Sequence, residues 1–405
     1  MTVDLETAWR TIANALPSSR IELGPVLSNQ LGMVLAEDIA ADMDMPPFTR
    51  SMMDGFAVCV SPDNPETIFR ITGRAEAGSS PGGMLKPGEA WHIATGAPVP
   101  DNTTWVLPKE MATWEGDDSG HERVTAQCHL KPGKNLFEIG GEFRSGSILL
   151  REGTSLGPAE YGLLAQAGRT AVRMHAAPRV AIVSTGNELV DPNMRPGPGK
   201  IRNSNGPMLM AQVARAGGLP RFLGIAPDCP QATESLVKEG LGHQVLILSG
   251  GVSVGPKDLV RPALEKLGVE VRVHGVRLKP GKPFLFGTHP SGVVVFGLPG
   301  NPVSSYVTFE LLVRPALQRL RGTAGAEPVQ PIPARLHQAW HAQTDRPLRQ
   351  PAKLSLTSDG PVVEVPEWKG SPDLRSLIGT NALACLEPGN HSLQKGDSIQ
   401  VVPLG

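Results

Sequence analysis

Apolar residues at Leu5, Ala8, Trp9, Ile12, Ala15 and Leu16 recur at helical spacing, which predicts an amphipathic opening helix over residues 4–16. From about residue 46 to 143 the pattern changes. Short alternating stretches such as Phe56–Val60 and Ile68–Ile71 are separated by Pro/Gly turns at Ser80–Gly83, Lys86–Gly88 and Ala97–Pro100, which predicts a β-rich module. A short helix follows in the run YGLLAQAG and ends at Gly168. Residues 178–320 then alternate strand and helix. The strands are predicted at Val180–Ser184, Phe222–Ile225, Val245–Ser249, Val269–Val273, Phe284–Gly287 and Val293–Gly297, and the helices at Gly206–Ala216, Gln231–Glu239, Leu259–Leu267 and Val303–Leu320. Strands that are apolar throughout, rather than alternating, are buried on both faces, so this order predicts a doubly wound, mostly parallel α/β sheet. A Pro/Gly/Ala linker, Gly322–Pro333, leads to a last β-rich segment ending in Asp397–Pro403.

Composition narrows the class. The 405 residues are enough for two to four domains, and 40% hydrophobic with 19% charged residues is that of a globular protein. Lys and Arg number 38 against 39 Asp and Glu, and aromatics make up only 4%, so the chain lacks both the broad basic face and the stacking platforms of a nucleic-acid binder. Any anion it binds is small and held locally. Cys59, Cys128, Cys229 and Cys385 are far apart and form no CxxC pair, which predicts isolated reduced thiols. The opening MTVDLETAW carries acids where a signal peptide carries positive charge, and no apolar run approaches the roughly 20 residues that span a bilayer. The expected location is the cytoplasm, with no membrane partner.

The candidate chemistry lies on loops that follow four of the predicted strands, at the sheet edge where such folds bind ligands. These are Thr185-Gly186-Asn187-Glu188, Ala226-Pro227-Asp228, Gly250-Gly251-Val252-Ser253-Val254-Gly255-Pro256-Lys257-Asp258, and Leu298-Pro299-Gly300-Asn301-Pro302. Glycine lets the backbone approach a ligand, and N–H groups at the next helix favour phosphate. The run LKPGKP adds Lys279 and Lys282, with Arg272, His274 and Arg277 just upstream. The acids on these loops, Glu188, Asp228 and Asp258, suit a hard cation such as Mg²⁺ shared with substrate phosphates. Ordinary turn and capping chemistry accounts for any one of these loops taken alone, but poorly for four together.

Two motifs mislead. Gly251–Gly255 matches GxSxG, the nucleophile elbow of α/β-hydrolases, yet Ser249-Gly250-Gly251 has already ended the strand and Pro256 precedes the helix, so Ser253 is not read as a nucleophile. His337 and His341 have a metal-binding spacing for a helix, but Ala334–Ala342 alternates as a strand does, which favours a structural role. In the β-rich module, Ser51–Ala57 places Asp54 on a turn before a strand, Thr95-Gly96-Ala97-Pro98 offers a hydroxyl on a stiff loop, and Gly140-Gly141-Glu142 adds an acid.

Six stretches in this order, SMMDGFAV, IATGAPVP, VSTGNEL, SGGVSVGPKD, LKPGKP and GLPGNP, resemble the molybdopterin molybdenumtransferase family of the MoeA and gephyrin E-domain type, over nearly the whole chain. The resemblance implies an N-terminal helix (1–20) packing on the α/β domain and a linking domain (21–45 and 144–176). It also implies a β-rich module (46–143), an α/β molybdopterin-binding domain (177–322) and a C-terminal β-barrel (323–405). It implies a homodimer in which the β-rich module of one subunit reaches toward the α/β domain of the other. The implied reaction takes adenylated molybdopterin and molybdate to molybdenum cofactor and AMP, with Mg²⁺. By matching position, Asp54, Glu142, Thr95, Glu188 and Asp228 are implied to be catalytic. Gly250, Gly251, Ser253, Gly255, Lys279, Lys282, Pro299, Gly300, Asn301 and Pro302 are implied to bind substrate, and Asp258, Glu188 and Asp228 to hold the metal. An upstream adenylyltransferase and acceptor molybdoenzymes are the implied protein contacts.

The chain departs from the family pattern in three places. Glu142 stands where aspartate is usual, Phe137 replaces an arginine beside it, and Arg349-Gln350-Pro351 replaces an aromatic-x-Arg pattern. Two guanidinium groups that lysine does not replace geometrically are thereby lost. Two alternatives stay open: a family member that binds molybdopterin or a protein partner without turnover, and an enzyme that adenylates molybdopterin one step earlier. The β-rich module with SMMDGFA weighs against the latter, because the adenylyltransferase resembles the α/β domain alone.

Overall fold

The computed structural model describes residues 2–26, 31–61, 67–80, 82–116, 122–129, 132–252 and 259–404, so the sequence expectations for Ser253, Gly255 and Asp258 lie outside the described residues. The chain divides into two compact units, one of Met1–Glu37, Glu152–Pro158 and Ala171–Gly405 and the other of Asp38–Arg151 and Ala159–Thr170.

The first unit is built on a six-stranded sheet in the order Leu219–Ala226, Arg179–Thr185, Val245–Ser249, Val294–Leu298, Leu285–Thr288, Glu270–His274. The first four strands are parallel and the last two pair antiparallel, as a mostly parallel sheet requires. Alternate residues feed two cores. Val180, Ile182, Val245, Ile247 and Phe296 join one cluster with Leu209, Val213 and Leu317 of the helices, while Ala181, Val183, Leu246, Leu248 and Val295 join another with Val237 and Leu264. Each fully buried Val, Ile, Leu or Phe here contributes about 1.5–3 kcal/mol relative to exposure, so helices on both faces are obligatory for strands this apolar. The opening helix, Leu5–Ala15, is capped by Asp4, whose Oδ1 accepts from Thr7 N at 2.7 Å, and it buries Ala8, Trp9 and Ile12 in the first of these cores.

Two predicted elements come out differently. The single helix expected at Val303–Leu320 is an α-helix over Pro302–Thr308, a π-turn over Phe309–Val313 and a second α-helix over Arg314–Leu320. Pro315 explains the break: it has no N–H to donate, and its ring crowds the carbonyl four residues back, at Leu311, which the wider π-turn relieves. Inside that turn Glu310 is buried between Arg215 and Arg314 and accepts from Gln212 Nε2 at 2.7 Å. The strand expected at Phe222–Ile225 runs from Leu219 to Ala226, because it lies at the sheet edge, where Pro220 sacrifices no ladder bond.

The C-terminal part of this unit is a closed barrel of Ile332–Leu336, Gly360–Glu364, Leu348–Thr357, Ala382–Leu386 and Ser398–Pro403, filled by Ala334, Leu336, Val363, Ala384 and Val401. The strand pattern expected over Ala334–Ala342 is split between Ile332–Leu336 and Trp340–Thr344; His341 lies on the second, and His337 falls in the bend between them. Ile21–Pro25 and Val34–Leu35 flank Ala171–His175 in a small antiparallel sheet.

The second unit is a six-stranded sheet in the order Trp105–Pro108, Gly55–Val58, Glu89–Ile93, Ile68–Ala75, Glu122–Ala126, Ala112–Gly116. The sheet curls: Trp114, on the last strand, meets Phe56 and His92 edge-on with ring centroids 5.8 and 5.7 Å apart. None of the four cysteines is in a disulfide. Among the described residues no helix is long and apolar enough to cross a membrane.

Candidate functional site

In the first unit the carboxyl ends of the parallel strands open into a cleft of about 1140 Å³. Strand register sets its floor, since Ser249 pairs with Ser184 on one side and Leu298 on the other, so the SGG and GLPGN turns leave the sheet side by side. Gly250 and Gly251 have φ of +92° and +63°, and a Cβ on either would lie within 2.9 Å of Thr185 atoms. Only glycine fits there. Asn205, at the start of the helix Asn205–Arg215, ties the turns together, its Nδ2 donating to Ser249 Oγ at 2.8 Å and to Gly300 O at 2.7 Å.

The barrel supplies the facing wall. Lys279 N donates to Pro347 O and Arg349 N donates to Lys279 O, both at 2.8 Å, while Lys279 Nζ reaches Gln343 O at 3.1 Å. On the other side Asn301 Nδ2 donates to Ser371 Oγ at 2.8 Å and Val303 N to Ser371 O at 3.1 Å.

Of the residues singled out from sequence, Glu188, Lys279, Lys282, Pro299, Gly300, Asn301 and Pro302 line this cleft. Gly250 and Gly251 are not among its lining residues, and neither is Asp228. It braces the neighbouring loop instead, with Asp228 N donating to Asn187 Oδ1 at 3.0 Å and Asn187 N to Asp228 Oδ2 at 3.3 Å. Sequence reasoning missed Arg202, Asn205, Arg346 and Ser371 and gave His341 a structural role, yet all five line the cleft. The Arg202–Asn205 stretch carried a signal, a polar run opening a helix. Arg346 and Ser371 carried none, because they reach the cleft from turns of irregular spacing. Pro351 sits within the barrel strand Leu348–Thr357, opposite Leu383, and Arg349 turns to Leu348 O and Glu387, so the cleft's barrel guanidinium comes from Arg346. Among the described residues the lining thus carries Arg202, Lys279, Lys282 and Arg346 against the one carboxylate of Glu188. In a chain of formal charge −1 that is a local concentration of positive charge, suited to a small polyanion.

Among the described residues no group of three or more His, Cys, Asp or Glu side chains is arranged to hold a metal. Glu188 and Asp228 follow paired strands, with Thr185 opposite Ala226, and so offer two carboxylates on adjacent loops. Two carboxylates with substrate phosphates and water satisfy Mg²⁺, which seldom takes an all-protein cage.

In the second unit, three motifs far apart in sequence meet around the strand Arg50–Ser51. Leu136 and Phe137 pair with Ser51 and Arg50, while Ser51 N donates to Ala97 O and Gly96 N to Ser51 O. Asp54 Oδ1 accepts from both Thr95 N and Thr95 Oγ1 at 2.7 Å, and Lys109 Nζ stands 3.9 Å from Oδ2. The two Thr95 donors, with a smaller contribution from the Lys109 charge, hold this exposed carboxyl below the usual carboxylate range. Asp54 is therefore ionised across the physiological range. Glu142 is held on both oxygens, Oε1 by Arg50 Nη2 at 2.8 Å and Oε2 by Gln166 Nε2 at 2.7 Å.

The chain matches the MoeA N-terminal region (domain I and II) over residues 3–168, a probable molybdopterin binding domain over 181–319, and the MoeA C-terminal region (domain IV) over 333–404. It is 34% identical over 385 residues to a molybdopterin molybdenumtransferase of Nostoc sp., covering 92% of this chain and 86% of that one. It is 33% identical over 396 residues to the enzyme of that name from Bacillus subtilis, covering 93% and 88%. The crystal structure of a molybdopterin biosynthesis MoeA protein from Pyrococcus horikosii superposes with a TM-score of 0.82 at 31% identity, covering 100% of this chain and 99% of that one. Sequence, domain order and fold agree, and the chain belongs to the molybdopterin molybdenumtransferase family of the MoeA type.

Proposed function

We propose that this protein inserts molybdenum into adenylated molybdopterin, consuming molybdate and releasing molybdenum cofactor and AMP. The observation that carries the proposal is the cleft at the strand ends, with four cationic side chains against one carboxylate, beside the Gly250-Gly251 turn where a Cβ would collide. Lys279, Lys282 and Arg346 neutralise the phosphate groups, and the backbone of Gly250, Gly251 and Gly300 with Pro299, Asn301 and Pro302 shapes the surface beneath them. Glu188 and Asp228, with Asp258, are the residues that would hold Mg²⁺, which when bound offsets phosphate charge. In the β-rich unit, Asp54, kept ionised by Thr95, and Glu142 orient the exchange at the dithiolene. Catalysis of this kind is mostly positioning and electrostatics. The working form is a cytoplasmic homodimer that receives its substrate from an adenylyltransferase and passes its product to molybdoenzymes.

The test is to incubate purified protein with adenylated molybdopterin, Mg²⁺ and molybdate and to measure AMP. Molybdate-dependent release supports the proposal. Tight binding of the adenylated pterin with no AMP above a metal-free control would instead make the protein a binding member of its family.

A further inference from the structure

Arg50 has no assigned role, yet both an aromatic ring and a carboxylate hold it. Its strand partner is Phe137, and its guanidinium carbon lies 5.0 Å from the centre of that ring, within the range of a cation–π contact. In addition, Nη2 donates to Glu142 Oε1 at 2.8 Å, and the other Glu142 oxygen is occupied by Gln166. An aromatic face and a carboxylate therefore fix a planar group that otherwise loses considerable rotamer freedom when ordered. The side chain remains 37% exposed, and among the described residues Nη2 to Glu142 is the only side-chain hydrogen bond of this guanidinium. Its backbone neighbour Ser51 is tied to Gly96 and Ala97, the residues beside Thr95, so the clamp belongs to the edge that carries Asp54.

A surface ion pair alone contributes little to stability, so stability is a weak reason for holding a guanidinium in this way. We infer that Arg50 is the oxyanion-binding group of the β-rich unit, with Phe137 and Glu142 acting through it as positioning residues. The ligand class is an oxyanion of the proposed reaction, either molybdate or the phosphate of the adenylated pterin, held by the unpaired edge of the fork. The inference rests on that proposed function and changes the reading of Glu142, whose oxygens are both engaged in holding other side chains. It also gives the Phe137 departure a purpose: the ring takes no anion itself but aims the arginine opposite it.

The experiment measures AMP release by the full-length protein with molybdate and adenylated pterin varied separately. Arg50→Ala is expected to raise the KM of one of the two substrates about tenfold, which identifies the oxyanion, with kcat within about threefold and an unchanged unfolding midpoint. Arg50→Lys restores part of the affinity, because it returns the charge without the fork. If Arg50→Ala does not fold, Phe137→Leu, which frees the guanidinium, is expected to raise the same KM about threefold. Both KM values within twofold of wild type in the variant that folds overturn the inference and leave the proposed function standing. If the wild type itself releases no AMP, that function fails, and titration with inorganic molybdate and with AMP decides the inference: weaker binding of either by Arg50→Ala keeps it, and equal binding of both overturns it.

Discussion

The cleft of the α/β unit and the Asp54 edge of the β-rich unit solve opposite electrostatic problems. In the cleft, positive groups are gathered at the carboxyl ends of the parallel strands, and the one described carboxylate is outnumbered. At the Asp54 edge, carboxylates are held in place by donors from neighbouring motifs: Thr95 for Asp54, and Arg50 with Gln166 for Glu142. The first arrangement suits holding a polyanion in its ground state. The second suits presenting fixed negative charge and one clamped guanidinium to a reaction that needs orientation. The contrast teaches that binding and chemistry are separable here by substitution, with KM effects expected from the cleft and from Arg50, and kcat effects from Asp54.

The sharpest way to break that separation is Asp54→Asn, which removes the charge and keeps the shape. It is expected to lower kcat for AMP release about 10³-fold with KM changed less than threefold. A KM effect as large as the kcat effect would make Asp54 a binding group. Next in size, Lys282→Ala is expected to raise KM for the adenylated pterin about thirtyfold with kcat nearly unchanged, the size of one lost charge-assisted hydrogen bond. A smaller effect is expected from Thr95→Val, read from the pH–rate profile. Two Thr95 donors depress the Asp54 pKa, so loss of the hydroxyl raises it, and the acid limb moves to higher pH. Depression of a carboxyl pKa stabilises above the usual carboxylate range and fades as pH falls through the lowered value. Asp54 is exposed, so thermal stability of Thr95→Val near neutral pH should change little. An unmoved acid limb would remove Asp54 from the rate-determining ionisation. Smallest of all, raising salt from about 0.05 to 0.5 M should increase KM severalfold and leave kcat within twofold, because screening acts on the open cleft.

Much of this was legible in the sequence, and the failures have physical causes. The parallel strands read within a residue or two wherever both faces are buried, as at Val245–Ser249, because continuous apolar runs admit few other structures. The edge strand Leu219–Ala226 was cut short by Pro220, since position in a sheet is a tertiary property. The π-turn at Phe309–Val313 was invisible although Pro315 was in plain view, because a proline says only that hydrogen bonding must change, not how. The glycine turns and LKPGKP announced the cleft floor. Its other wall, with Arg346 and Ser371, was not readable, because those residues depend on how the barrel docks through Lys279 and Asn301. Phe137 read as a lost guanidinium. Strand pairing shows what sequence distance hid, that Arg50 lies directly across from it.

The measurement that bears most directly on the division between cleft and edge is equilibrium titration of adenylated molybdopterin, with Mg²⁺ and without molybdate, into Asp54→Asn and Lys282→Ala. Wild-type affinity in Asp54→Asn with about thirtyfold weaker binding in Lys282→Ala is the predicted result. The reverse pattern, with binding lost on Asp54→Asn and kept in Lys282→Ala, would contradict it.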